Sequence, residues 1–442
     1  MADLRKDIDT IVIVLMENRS FDHILGYLGL PPFNLAIDGQ QNAGGPRYAN
    51  PYTVGGPYLP WHMTRKERPN LDMPHDPPHE RAPIANQIGS LINNQYNMTG
   101  FVQSYYMSGK IAGPNPGTLP EVMGYFTPNE VPVTDFLARN FAVCDHWFAS
   151  VPASTQPNRL MAMSGYTLID GNVHVLDDQY LLYDWLNDHN VTWRVYHQGI
   201  PFFALMPRIL ARLLDENFRG FDRLYNDFHT ESEATFPEVI FIEPTYTDAP
   251  HIGAPSDDHP PSSIIGGQAF LREIYRAITC NPSRWARTMM ILTYDEHGGF
   301  FDHVSPVPIV TSASRNARFQ PFSSSGVRVP GVVVSPLVPA GTIYSELLDH
   351  TSILAMMARK YGAAKETYSD EVETRRAVFG GNIADVISLN APRPQILLPP
   401  GAQTGEYANQ IAFKKAAAVM ADLDPNKMTN KFPELRGFIK GQ

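Results

Sequence analysis

The chain has 442 residues, 43% hydrophobic and 18% charged, with a net charge of −10 and no Lys/Arg block. That is enough for a large core or two to three domains, and it argues against nucleic acid as a partner. Two cysteines, Cys144 and Cys280, exclude a disulfide framework and a Cys-based zinc cluster and leave room for one disulfide at most.

Residues 1–9 are polar with no hydrophobic leader region, and no apolar run approaches the length of a membrane span. The expectation is a soluble, cytoplasmic chain without a transmembrane segment; export by a leaderless route, or as a processed chain, is the alternative. Nothing in the sequence fixes an oligomeric state.

Residues 10–16 are apolar and mostly β-branched, the pattern of a strand buried on both faces of a parallel sheet. The run stops at Glu17-Asn18-Arg19-Ser20, followed by Phe21-Asp22-His23. Residues 30–130 are rich in Pro, Gly, Asn and Tyr with little periodicity, and read as long excursions over the carboxyl face of that sheet. Within them, His75-Asp76-Pro77-Pro78-His79 offers a His pair that either reaches a site or lies in a stiffened surface loop. Residues 133–139 predict a short helix capped by Thr134.

A strand at 141–145 would bury the Cys144 thiol. It leads into Ser150-Val151-Pro152-Ala153-Ser154-Thr155-Gln156-Pro157-Asn158-Arg159 and then apolar residues. Pro157 suits the first helical position. Ser154 or Thr155 is either a plain cap or, beside a metal, a nucleophile whose pKa is lowered at a helix N-terminus, with Arg159 available to phosphate oxygens.

A helix is predicted over 179–186. Strands over 192–196 and 237–242 end at His197 and Glu243. His259, in the Pro-flanked loop 256–261, is a candidate general acid ahead of a core-packed helix over 267–275.

The apolar run 289–292 stops at Thr293-Tyr294-Asp295-Glu296-His297-Gly298-Gly299-Phe300-Phe301-Asp302-His303. Adjacent carboxylates at a strand end are costly unless a cation or proton shares them. Four strands thus end at Glu17-Asn18, His197, Glu243 and Asp295-Glu296, which places a site along the carboxyl edge of a parallel sheet. A last strand over 327–335, a helix from Asp349-His350-Thr351-Ser352 to Gly362, and a C-terminal wrap from about 375 with a helix over 407–423 complete the reading. Residues 1–374 would form one catalytic domain and 375–442 would belong to it. P-loop, dinucleotide-turn, G-x-S-x-G and HExxH motifs are missing, and Cys144 lacks the C-x-P-x-R context of sulfatases.

Five blocks resemble the bacterial phosphoesterase family, which contains phospholipases C and an acid phosphatase branch. They are residues 11–23, Ser154 to Arg159, Phe241-Ile242-Glu243-Pro244, His259-Pro260-Pro261 and residues 293–303. The resemblance implies a three-layer α/β/α fold with a mostly parallel sheet, like alkaline phosphatase. It implies one divalent metal ion (Ca, Zn, Mg or Mn) on Glu17, Asn18, Asp295, Glu296 and the nucleophile Thr155, with Ser154 as rival. The family's active-site histidines would fall on His79, His259 and His303. The implied activity is metal-dependent hydrolysis of a phosphate monoester or a phospholipid headgroup through a phosphothreonine intermediate, of the acid phosphatase or phospholipase C type. A phospholipase C preferring choline lipids is one alternative. A phosphate- or headgroup-binding protein without turnover is another.

Overall fold

A computed structural model of the chain describes residues 2–109, 118–249, 254–309 and 319–399. Its centre is an eight-stranded sheet: β1 Thr10–Met16, β2 Ala142–Cys144, β3 Trp193–His197, β4 Phe218–Gly220, β5 Val239–Glu243, β6 Thr288–Tyr294, β7 Gly331–Val334 and β8 Thr342–Tyr344. The order across the sheet is β8-β2-β7-β6-β1-β5-β3-β4. All neighbours are parallel except β7, which runs against both β6 and β2. The unbroken apolar runs of β1, β5 and β6 follow from this placement, because both faces of a central parallel strand are covered. Ile11, Val12 and Val14 are fully buried, and each contributes about 1.5–3 kcal/mol of burial.

Helices cover both faces. One layer holds α3 (Pro132–Asn140), α6 (Ile264–Thr279) and Leu224–Thr230; the other holds α4 (Thr155–Ser164), α5 (Leu182–Asp188) and α7 (Thr351–Tyr361). This is the α/β/α architecture with a mostly parallel sheet. Register fixes the site: Met16 lies opposite Tyr294, so Glu17-Asn18 and Asp295-Glu296 leave adjacent strands at one edge. Glu243 and His197 are paired on the neighbouring strands of that same edge.

Several local expectations change. Thr134 does not cap α3: Gln268 on α6 accepts from the N–H groups of Val133 and Thr134 and donates to Thr134 Oγ1. Pro157 is the third residue of α4 rather than the first, tolerated because the first four N–H groups of a helix need no intrahelical partner. Helix α5 starts at Leu182, leaving Gln179 and Tyr180 outside it.

The described residues between 30 and 130 are more ordered than their texture predicts. They include α1 (Arg81–Ile88) and α2 (Phe101–Met107), which pack together in a satellite core with Tyr48, Val122 and Phe301. Both cysteines are free thiols, with Cys144 buried. Residues 375–399 lie against the main core through Val386, Ile387 and Leu398, and the helix predicted over 407–423 falls outside the described residues. No helix among the described residues is long and apolar enough to cross a membrane.

Candidate active site

The site begins where β1 and β6 end. Asn18 takes a left-handed backbone, φ 61°, which Asn tolerates better than most residues. Gly298 lies directly against it: a Cβ there would stand 2.1 Å from the Asn18 carbonyl oxygen, and its φ is +63°. Only glycine lets the two strand exits run this close.

Helix α4 brings the hydroxyl. Thr155 is its first residue, and Oγ1 donates to Asn18 Oδ1 at 3.4 Å. Ser154 sits at the cap position, but its hydroxyl accepts no helix N–H and has no partner, so it is not a functioning cap. Asn158 braces this turn, with Nδ2 donating to the carbonyls of Val151, Ala153 and Ser154. One turn into α4, Arg159 is buried among acids. Nε donates to Asp295 Oδ2 at 3.1 Å, and an Nη lies 3.1 Å from Glu17 Oε1. Its other bonds reach Tyr246 Oη and the Leu15 carbonyl, and its plane lies over the Phe202 and Tyr246 rings. Tyr246 in turn donates to Glu243. The role anticipated for Arg159 on phosphate oxygens is therefore replaced by another: it holds three strand ends together, because buried carboxylates are tolerated only when paired.

The charge balance is unfavourable unless a cation or a proton shares the site. Glu17, Asp295 and Glu296 are all buried. Burial pushes Glu17 well above the usual carboxylate range, with Asp295 and Asp257 adding and Arg159 opposing. Burial also raises Asp295, to about 6, against the pull of Arg159. Burial alone would raise Glu296 too, but His79 and His297 outweigh it and hold that carboxyl below its ordinary value. Glu296 Oε1 and Asn18 Nδ2 are buried without hydrogen-bond partners. Hard oxygen donors and an orphaned carboxylate oxygen are the chemistry a divalent cation takes, but among the described residues the acid and histidine groups whose ligand atoms converge within 4.8 Å are Asp76-His79-His259 and Asp22-Asp302-His303, not Glu17, Asp295 and Glu296.

Two loop histidines face this cluster. His79 Nε2 stands 3.9 Å from Glu296 Oε1, and its Nδ1 bonds the Pro77 carbonyl. Burial would lower its pKa, but Glu296 and Asp76 raise it to about 9, so it is charged at neutral pH. His259 meets His79 edge-on at 5.5 Å, with Nδ1 on the Pro260 carbonyl and Nε2 facing Asp248 at 3.6 Å. The potential ligand atoms of Asp76, His79 and His259 lie within 4.8 Å of one another.

His303 is elsewhere. Nδ1 is bound to Asp22 at 2.6 Å and Nε2 to Asp38 at 2.9 Å. Arg328 binds Asp22 and Asp302 in the same buried network. Both ring nitrogens are bonded to carboxylates, and the ligand atoms of Asp22, Asp302 and His303 lie within 4.8 Å of one another, so the structure places His303 in this buried network rather than in contact with Thr155 or Glu296. His197 is also spoken for on one side, its Nδ1 bonding the Gly199 carbonyl.

One contributor escaped sequence reading. His350, which opens α7, donates from Nε2 to the Asp295 carbonyl at 2.6 Å, while Nδ1 accepts from Trp147 Nε1 at 3.2 Å. Burial lowers its pKa to about 4, so it is a neutral strut behind the motif. Its only sequence signal is its place in the Asp-His-Thr-Ser helix start.

The model of the phosphoesterase family matches residues 8–364. The chain is 30% identical to non-specific phospholipase C3 of Arabidopsis thaliana over 97% of its length and 86% of that protein. It is 33% identical to non-specific phospholipase C1 of the same plant, over 80% of this chain and 67% of the relative. It is 28% identical to phospholipase C B of Mycobacterium tuberculosis, over 80% and 74% respectively. A solved structure of an alkaline phosphatase superfamily protein from Vibrio parahaemolyticus overlaps 55% of this chain and 63% of its own, at TM-score 0.34 and 10% identity. The relatives include plant proteins, so the likeness reaches beyond bacteria.

Proposed function

Since this chain belongs to the phosphoesterase family and is a phosphoric ester hydrolase, we propose that it acts as a phospholipase C through a phosphothreonine at Thr155. The observation that carries this reading is the Thr155 hydroxyl, held at a helix start against Asn18 and next to buried acids. The names of its relatives support the lipid substrate.

Glu17, Asn18, Thr155, Asp295 and Glu296 would hold a divalent cation that lowers the hydroxyl pKa and offsets phosphoryl charge when bound. Thr155, its hydroxyl proton released to solvent, forms the Oγ1 bond to phosphorus as the bond to the lipid alcohol breaks, and Oγ1 is freed again as the anion when water cleaves the phosphothreonine. His79 Nε2, 3.9 Å from Glu296, is placed to donate a hydrogen bond to the phosphoryl oxygens. His259 Nε2 passes its proton to the departing alcohol oxygen, then takes one from the water that cleaves the phosphothreonine. Arg159 keeps Glu17 and Asp295 in place through both steps.

The test compares p-nitrophenyl phosphate, p-nitrophenylphosphorylcholine and phosphatidylcholine on wild type and Thr155→Val. Cleavage of the diesters with loss in the variant supports the reading. Cleavage of the monoester alone assigns the protein to the acid phosphatase branch. Full activity in Thr155→Val moves the nucleophile to Ser154.

A further inference from the structure

Leu91 and Ile92 are the only adjacent pair among the exposed large hydrophobic residues described, at 49% and 58% exposure. They form one strand of a two-residue hairpin, Leu91 paired with Tyr96 and Ile92 with Gln95. The turn residues Asn93 and Asn94 have φ of 51° and 62°, the backbone of a tight type I′ turn. Successive strand residues point to opposite faces. Exposure of both therefore means that the tip of the hairpin is open to solvent on both faces, while Tyr96 at its root packs against the satellite core.

Such a hairpin is marginal alone, and its root is tied to the active-site motif. Tyr96 N–H donates to Ser305 Oγ at 2.8 Å, just past His303. On the other side, Gln87 in the last turn of α1 bonds His297, beside Glu296, and the Pro78 carbonyl, beside His79. Residues 90–98 contain no charged side chain, although the chain carries a net charge of −10. An apolar, uncharged projection on an acidic protein is matched to a zwitterionic surface, where neither attraction to nor repulsion from headgroup charge is needed.

We propose that the Leu91–Tyr96 hairpin inserts into a phospholipid bilayer and delivers the membrane to the active site. This deepens the phospholipase reading and rests on it, but its test reads binding separately from turnover. Burial of two half-exposed aliphatic side chains predicts that the double variant Leu91→Ser, Ile92→Ser binds phosphatidylcholine vesicles at least about tenfold more weakly. Co-sedimentation is measured in the Thr155→Val background, so that the vesicles are not consumed. In the otherwise wild-type chain, the double variant should turn over p-nitrophenylphosphorylcholine within about twofold of normal.

Unchanged vesicle binding overturns the proposal. So does an equal loss on the soluble ester, which would make the hairpin part of the pocket. A wild-type dimer that becomes monomeric in the double variant overturns it in favour of self-association. Ile92→Trp supplies a positive signature: its emission should shift to the blue on adding vesicles, and no shift counts against insertion. If the wild type cleaves no phosphodiester at all, the phospholipase reading fails while the binding comparison still decides the hairpin.

Discussion

Glu17, Asn18, Asp295 and Glu296 leave β1 and β6 only a few residues before Asp22, Asp302 and His303, and both groups are buried. The second group is closed. Asp302 accepts from Arg328, Val304 N–H and Asp22 N–H; Asp22 accepts from Arg328 and His303; and both ring nitrogens of His303 are bound. The first group is open: Glu296 Oε1, Asn18 Nδ2 and the nearby Ser154 hydroxyl have no partner. The same residue types, equally buried, serve as scaffold where their hydrogen bonds are complete and as a site where they are not. Completeness of bonding, rather than residue identity, separates the two.

The contrast breaks most visibly at the nucleophile. Thr155→Val should lower turnover by on the order of 10⁴-fold, with a melting temperature close to that of the wild type. In the closed cluster the effect should fall on stability instead. Arg328→Met leaves Asp22 and Asp302 buried without their cation and should cost about 3–5 kcal/mol in denaturant unfolding. His303→Gln sharpens the point: activity per folded molecule should persist while the melting temperature falls, and a lost kcat in a fully stable variant would return His303 to the site.

A smaller effect concerns the cation. Glu296→Gln should weaken metal affinity by at least about tenfold, read by titrating Ca, Zn, Mg and Mn singly into the stripped protein. Smallest is a pH effect at His350. Its folded pKa of about 4 lies below the ordinary His value, so the unfolded chain takes up the proton first. Its contribution is complete above about pH 6.5 and declines toward pH 4, on the order of 1–2 kcal/mol by pH 5. His350→Asn should flatten that acid limb in a series of melts.

The open site was largely legible in sequence because each strand is buried on both faces. An unbroken apolar run that ends in Glu-Asn or Asp-Glu announces both the strand and its polar terminus. The closed cluster was not legible: His303 and Asp22 lie 281 positions apart, and no periodicity records such a contact. The same holds for Gln268 supplying bonds to α3, and for Arg159, whose type fits phosphate but whose neighbours turned out to be acids. Helix α1 was missed because it is short and carries Pro83 near its start, so it draws its order from packing against α2.

Strand β1 is the first of the sheet to be synthesised, yet it occupies the middle of it. Ile11 pairs on one side with Val239 and on the other with Met289. More than half of the chain must therefore be made before this apolar segment meets either neighbour. Until then a sticky, β-branched stretch waits in the nascent polypeptide, the situation in which holding chaperones matter and rapid overproduction yields aggregates. The sheet closes late, and the two strand ends that frame the active site come together only with it.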